Sequence, residues 1–214
     1  GGGNEVGRLG ARGGGGGAPC QPSQPWTAGA SHLFTREFFQ QVRSHLTEDG
    51  VFVQWSNVTF LDEELLATIA GTLLDVFEHV RLYRPASNML VFLSSDAPLD
   101  VEREIARTGA PLDTAPEEYR RLGLNDVNDV ALMLVMERDG LRSLSAGAPI
   151  STDDRNYMAL EASRNLGRAD DSEIDRVLVP RDPIANDGSP LAADLGAALD
   201  RVYLAVRMLD LGMG

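Results

Sequence analysis

The feature that most constrains the fold is a helical pattern that runs through a glycine directly into an apolar strand pattern. Residues 30–47 place apolar side chains three and four positions apart, which predicts a helix of about four turns. Gly50 follows, and we expect it to adopt the left-handed conformation that closes helices. Val51–Trp55 is β-branched and aromatic, which predicts a short buried strand. This helix, turn and strand form one unit of an α/β fold.

A second unit of the same kind follows. Residues 61–77 carry an apolar stripe at helical spacing, and Asp62 suits the positive end of that helix. Two strand patterns come next, Val80–Tyr83 and Met89–Leu93, and the link between them is long enough only for a hairpin. Strands joined in this way are antiparallel. We therefore predict a three-stranded sheet whose last two strands are antiparallel, with flanking helices.

The remainder of the chain reads as helices and connecting segments. We predict helices at Val101–Thr108, Pro116–Arg121, Asn125–Asp139 and, as an amphipathic C-terminal extension, Leu191–Leu211. The predicted organisation is a Gly-rich disordered tail at 1–20, a domain at 21–165, a linker rich in Asp, Pro and Gly at 166–190, and a helical segment at 191–214.

Charge and composition exclude several classes of function. Acidic residues outnumber basic ones by 32 to 19, and the net charge of -13 disfavours binding to nucleic acid or an anionic membrane. No apolar stretch approaches the roughly 18 residues of a spanning helix, so we expect the chain as given to be cytoplasmic. Cys20 is the single cysteine, and neither a disulfide nor a metal site is expected. The glycines of residues 1–20 lack the flanking strand and helix of a phosphate-binding loop.

Four runs resemble successive motifs of bacterial spermidine synthase-like proteins, some of which are fused to membrane helices. The runs are Gln21–Trp26, Ser31–Phe39, Gly50–Trp55 and Ser151–Asn156. The resemblance covers about residues 20–165. It implies the C-terminal half of a Rossmann-like methyltransferase sheet, without the half that binds the nucleoside cosubstrate.

The resemblance also implies a reaction and a set of site residues. The family transfers an aminopropyl group from decarboxylated S-adenosylmethionine to a polyamine such as putrescine. Carried over to this chain, the substrate-binding positions are Gln21, Ser23, Gln24, Trp26 and Gln54. The membrane-fused relatives usually have an acidic residue at the first of these positions and Asn at the third. Neutral amides neither supply charge nor accept a proton, so we expect the truncated chain to be inactive.

Several alternatives stay open at this stage. The chain is also interpreted as a noncatalytic interaction module or, with less support, as an S-adenosylmethionine-dependent methyltransferase. Gln54 either faces the substrate crevice or is a polar residue at a strand end. The adjacent carboxylates Asp153 and Asp154 suit a cation, but loop capping is favoured, and no histidine is assigned a catalytic role. Because the strand at residues 51–55 lacks a sequence-adjacent partner on one edge, we expect self-association there.

Overall fold

The computed structural model describes residues 18–20, 30–99, 130, 133–165, 171–184 and 186. The described strands are β1 (Ala18–Cys20), β2 (Phe52–Asn57), β3 (His79–Ala86), β4 (Met89–Ser95) and β5 (Leu134–Met136). The described α-helices are α1 (Arg36–His45), α2 (Glu63–Val76), α3 (Arg138–Leu144), α4 (Tyr157–Asn165) and α5 (Asp171–Leu178). Short 3-10 turns occupy Ala30–Phe34, Val58–Phe60 and Val179–Arg181.

The strands form one mixed sheet in the order β1-β2-β4-β3-β5. β1 and β2 are parallel, and every other neighbouring pair is antiparallel. The predicted antiparallel pairing of the last two strands of the hairpin, β3 with β4, is therefore confirmed. The expected number of three strands is wrong, because β1 and β5 extend the sheet at its two ends.

β5 lies inside the segment Asn125–Asp139 that was predicted to be one helix. Leu134 pairs with Tyr83 of β3 and Met136 pairs with Leu82. A short continuous apolar run fits a buried strand and a buried helix equally well by periodicity. Residues 134–136 form a strand because they lie beside the edge of β3. The backbone groups of that edge can form hydrogen bonds only with an extended segment.

The first predicted helix is divided at Thr35. The Thr35 hydroxyl donates to the carbonyl oxygen of His32 over 3.0 Å and accepts from the amide of Phe38 over 3.4 Å. It thereby ends the 3-10 turn and caps α1, since a threonine oxygen replaces the carbonyl that the first helical amides lack. α1 consequently starts six residues later than the pattern suggested, at Arg36.

Gly50 closes the turn before β2 for a different reason than expected. Gly147 is the described glycine with a positive φ, 82°, whereas Gly50 does not adopt the left-handed conformation. A Cβ atom at Gly50 would lie 2.9 Å from both the Leu46 Cβ atom and the Thr47 carbonyl oxygen. Glycine is therefore required because the backbone passes close to the end of α1.

The two faces of the sheet differ in what covers them. On one face, which we call the helix-covered face, Phe52, Leu82 and Phe92 pack in the main core together with residues of α1 and α2. The Phe52 ring lies 5.7 Å from the Phe39 ring and is stacked on the Phe77 ring at 6.0 Å between centroids. The other face, which we call the second face, carries a smaller cluster that includes Tyr83.

α2 behaves as its sequence predicts. Asp62 accepts a hydrogen bond from the amide of Leu65 over 2.8 Å, so it is the N-cap of the helix as well as a favourable charge at its positive end. Ten of its fourteen residues are buried, among them Leu66 and Leu73, which have no exposed surface. The helix is the central element of the core.

The predicted linker contains an ordered helix, α5, which belongs to the core. Ile174 and Leu178 are completely buried, and Asp175 forms an ion pair with Arg84 of β3. The acidic and basic residues that resembled a linker lie on the outer side of an amphipathic helix. The composition of this segment suggested a linker because it has few apolar residues, but those residues have helical spacing.

Other expectations fall partly or wholly outside the described residues. Residues 18–20 form β1, so the predicted disordered tail is wrong at its last three positions. The predicted helices at Val101–Thr108, Pro116–Arg121 and Leu191–Leu211 lie outside the described part of the chain. Among the helices that are described, none has the length and hydropathy needed to cross a bilayer.

Candidate functional site

The parallel pairing of β1 and β2 brings their carboxyl ends to one edge of the sheet. In this register Cys20 lies opposite Gln54. The end of β1 therefore lies beside the middle of β2. Gln21, Ser23, Gln24 and Trp26 themselves lie outside the described residues.

Gln54 is the predicted site residue whose side chain is described. It is completely buried, and its Nε2 donates to the carbonyl oxygen of Trp55 over 3.2 Å. Its Oε1 has no hydrogen-bond partner among the described residues. A buried acceptor without a donor costs about 1–3 kcal/mol. The amide is thus half satisfied, with an acceptor oxygen left for a ligand.

Ser56, two residues farther along β2, extends this polar row toward the carboxyl edge. It is 3% exposed, and its hydroxyl also lacks a partner within the described structure. Alternation along a strand places Ser56, Gln54 and Phe52 on the same, helix-covered face. Trp55 points to the second face, so its ring does not share a site with the Gln54 amide.

The loop at residues 151–156 holds the beginning of α1 in place. The Ser151 amide donates to the Thr72 hydroxyl of α2 over 3.0 Å, and the Ser151 carbonyl accepts from the amide of Arg36 over 2.8 Å. The loop thereby joins the C-terminal half of α2 to the first residue of α1. Since the run from Gln21 leads into α1, this contact fixes the end of that connection.

Asp153 faces solvent beside the same helix start. Its amide donates to the Glu37 carboxylate over 3.0 Å, and its own carboxylate lies 3.6 Å from the His32 ring nitrogen. Loop capping is performed instead by Thr152, which accepts from the amide of Arg155, and by Asn156, which accepts from the amide of Ala159. The described residues contain no group of three His, Cys, Asp or Glu side chains that could hold a metal ion.

Glu78, whose carboxyl group has a shifted pKa, lies away from this edge of the sheet. The pKa of Glu78 is below its ordinary value because Arg138 donates a hydrogen bond to it and adds a favourable charge. Glu78 directly precedes β3, which begins at the amino edge since β3 runs parallel to β2. Its carboxylate therefore takes no part in the candidate site.

Comparison with known families identifies this region. Residues 21–87 match the model of the spermine/spermidine synthase domain. These residues are similar to a portion of that domain. The match begins at the first residue of the run Gln21–Trp26 and ends in the turn between β3 and β4, so it includes Gln54 and both helices that cover it. A search of curated proteins found no match.

The match confirms the predicted resemblance over residues 21–87. The similarity proposed for Ser151–Asn156 lies beyond the matched segment and stays a prediction. Thr72 and Ser56 could not be predicted from the sequence, because a threonine within an apolar helix and a serine within an apolar strand resemble ordinary core positions. The structure distinguishes them from ordinary core residues, because Thr72 accepts from the Ser151 amide and Ser56 has no partner among the described residues.

Proposed function

We propose that the chain contributes the amine-binding side of an aminopropyltransferase site, at the carboxyl edge of β1 and β2. The donor of the aminopropyl group is decarboxylated S-adenosylmethionine, and the acceptor is a polyamine such as putrescine. The proposal rests on the family match over residues 21–87, which starts directly after β1 and includes Gln54, the residue that pairs with Cys20 at the end of β1. The sheet order is compatible with the second half of a Rossmann-like methyltransferase sheet.

The Gln54 amide suits a cationic amine by its chemistry. An ammonium group carries three N–H donors and no acceptor, whereas the Gln54 Oε1 is an acceptor that receives no donor from the described part of the chain. The net charge of -13 raises the concentration of cations around the molecule. Because Gln54 is completely buried, binding requires neighbouring residues to move aside.

Transfer itself needs groups that Gln21 and Gln24 do not supply. The amine nitrogen must attack the carbon bound to the sulfonium, the carbon–sulfur bond must break, and a proton must leave the nitrogen. A neutral amide can orient the amine, but it cannot accept that proton. In the described part of the chain, no strand leads through a Gly-rich turn into a helix to hold the nucleoside. The 214-residue chain therefore binds the amine without catalysing transfer.

Two measurements on the purified chain test this proposal. Titration calorimetry with putrescine should give a saturable binding isotherm, and incubation with putrescine and the aminopropyl donor should form no spermidine. Ethylammonium at matched ionic strength is the control for general attraction to the acidic surface. Absence of putrescine binding refutes the amine site, while formation of spermidine refutes the claim that the chain is inactive.

A noncatalytic interaction module is the second candidate. The replacement of an acidic residue and an asparagine of the family pattern by Gln21 and Gln24 favours it. The two candidates differ in the calorimetric experiment, since a module that has lost the amine site gives the same heat with putrescine as with ethylammonium.

A further inference from the structure

Two buried oxygen atoms of β2 lie on the same face of the sheet and have no hydrogen-bond partner among the described residues. They are Gln54 Oε1 and Ser56 Oγ, and their side chains belong to residues that are 0% and 3% exposed. Buried polar side-chain atoms of folded proteins nearly always have a partner. We call these two atoms the oxygen pair, and they offer acceptors to the donor groups of a ligand.

The position of Ser56 fits a ligand site of an α/β sheet. Ser56 lies two residues beyond Gln54, which is the last residue of β2 that pairs with β1. It therefore lies toward the carboxyl edge of the two parallel strands, and ligands of open α/β sheets bind outside that edge.

The cross-strand neighbours of the oxygen pair are apolar. Gln54 lies opposite Phe92 of β4, and Ser56 lies opposite Leu90. Both of these neighbours are completely buried, and residues directly opposite each other have their side chains on the same face. Phe92 and Leu90 therefore place an apolar surface beside the two oxygen atoms. Acceptors next to an apolar surface suit a ligand that carries N–H donors on an alkyl chain.

The orientation of the Gln54 amide favours Ser56 over Ser94, a serine of β4 on the same face whose hydroxyl also lacks a partner among the described residues. Nε2 of Gln54 donates to the carbonyl oxygen of Trp55 over 3.2 Å. A carbonyl oxygen only accepts hydrogen bonds, so the amide atom that faces it is the nitrogen. That carbonyl belongs to the peptide that joins Trp55 to Ser56, so the amide is held on the Ser56 side. Ser94 lies opposite Phe52, on the other side of Gln54.

We propose that Gln54 Oε1 and Ser56 Oγ together accept hydrogen bonds from one primary ammonium group, so that the site selects alkylamines with an unsubstituted ammonium end. This inference rests on the proposed function and adds a second binding residue and a substrate class to it. A primary ammonium group has three N–H donors, enough for both oxygen atoms, whereas a dimethylated one has a single donor.

The apolar neighbours add a requirement for an alkyl chain. The chain of the amine packs against Leu90 and Phe92, and each CH2 group that becomes buried improves the affinity about fourfold. Putrescine therefore binds more tightly than ethylammonium, although both have primary ammonium groups.

Calorimetry with two diamines tests the inference. Putrescine and N,N,N′,N′-tetramethylputrescine have the same alkyl chain and the same charge, but the methylated diamine has one N–H donor at each end. Ser56→Ala should weaken putrescine binding about tenfold to a hundredfold, which is the contribution of a hydrogen bond from a charged donor. The same substitution should leave the affinity for tetramethylputrescine unchanged, and the parent chain should prefer putrescine.

Ser94→Ala is the matched control, because it removes a buried hydroxyl from the same face, and it should not change the affinity for putrescine. If Ser56→Ala binds putrescine as tightly as the parent chain does, the role of Ser56 is wrong while the Gln54 site stands. If the parent chain binds neither diamine, the proposed function fails, and this inference fails with it.

Urea unfolding of Ser56→Ala gives a second test that needs no amine. The variant should be at least as stable as the parent chain, because the hydroxyl that it removes has no partner among the described residues. A lower urea midpoint than that of Ser94→Ala would show that the Ser56 hydroxyl already forms a hydrogen bond within the chain. That result would overturn the inference, whatever the calorimetry gives.

Discussion

Replacing Gln54 with methionine should separate the stability of the domain from its ability to bind an amine. The Gln54 Oε1 is buried without a partner among the described residues, and removing such an atom recovers about 1–3 kcal/mol. The variant also loses the hydrogen bond from Nε2 to the Trp55 carbonyl, which contributes about 1 kcal/mol. Methionine has nearly the same length and fills irregular space. The variant should thus be more stable than the parent by about 0–2 kcal/mol.

Urea unfolding gives the change in stability, and calorimetry with putrescine gives the change in affinity. We expect Gln54→Met to abolish putrescine binding while its midpoint rises or stays unchanged. Ser94→Ala is the matched control, because the Ser94 hydroxyl is equally buried and has no partner in the described structure, but lies opposite Phe52, toward the amino edge of β2. It should be stabilised without loss of binding. Unchanged putrescine affinity in Gln54→Met would refute the assignment of the residue to the amine site.

Three further predictions concern the frame of the site. Thr72→Val should lower the free energy of unfolding by about 1–3 kcal/mol, because it leaves the buried Ser151 amide without its acceptor, and Thr72→Ser should restore most of that loss in urea titrations. Ile174→Ala should cost about 2–5 kcal/mol, whereas a residue in a free linker would cost nothing in the same assay. Glu78, with its lowered pKa, contributes stability that is present above its ordinary pKa of 4.5 and is lost as the pH falls through the lowered value. Glu78→Gln should therefore flatten the melting temperature between pH 5 and 2 by a small amount, and an unchanged acid profile would contradict that assignment.

Local patterns predicted the central elements because their causes are local. The apolar stripe of α2 and its capping Asp62 are visible within one segment of sequence, as is the reversal between β3 and β4. Gln54 differs, because the strand pattern ends at Trp55 whereas β2 continues to Asn57, which places Gln54 in the middle of the strand.

Features that depend on distant partners were missed. β5 is a strand because β3 lies beside it, and Thr35 divides the first helix because its hydroxyl reaches both neighbouring turns. The predicted unpaired edge of β2 is occupied by β1, a strand of three residues at the end of a glycine-rich segment. The expected self-association through that edge of β2 is therefore not required by the sheet. Tertiary context outweighed local propensity in each case.

The most direct test of the amine site is the side-chain amide signal of Gln54 in a nuclear magnetic resonance titration with putrescine. A nitrogen label and the Gln54→Met variant assign the signal. The account predicts a saturable shift of this buried amide with putrescine and no comparable shift with ethylammonium at the same ionic strength. If putrescine shifts only signals of exposed acidic residues, and the Gln54 amide stays where it is, the site at the carboxyl edge of β2 is wrong.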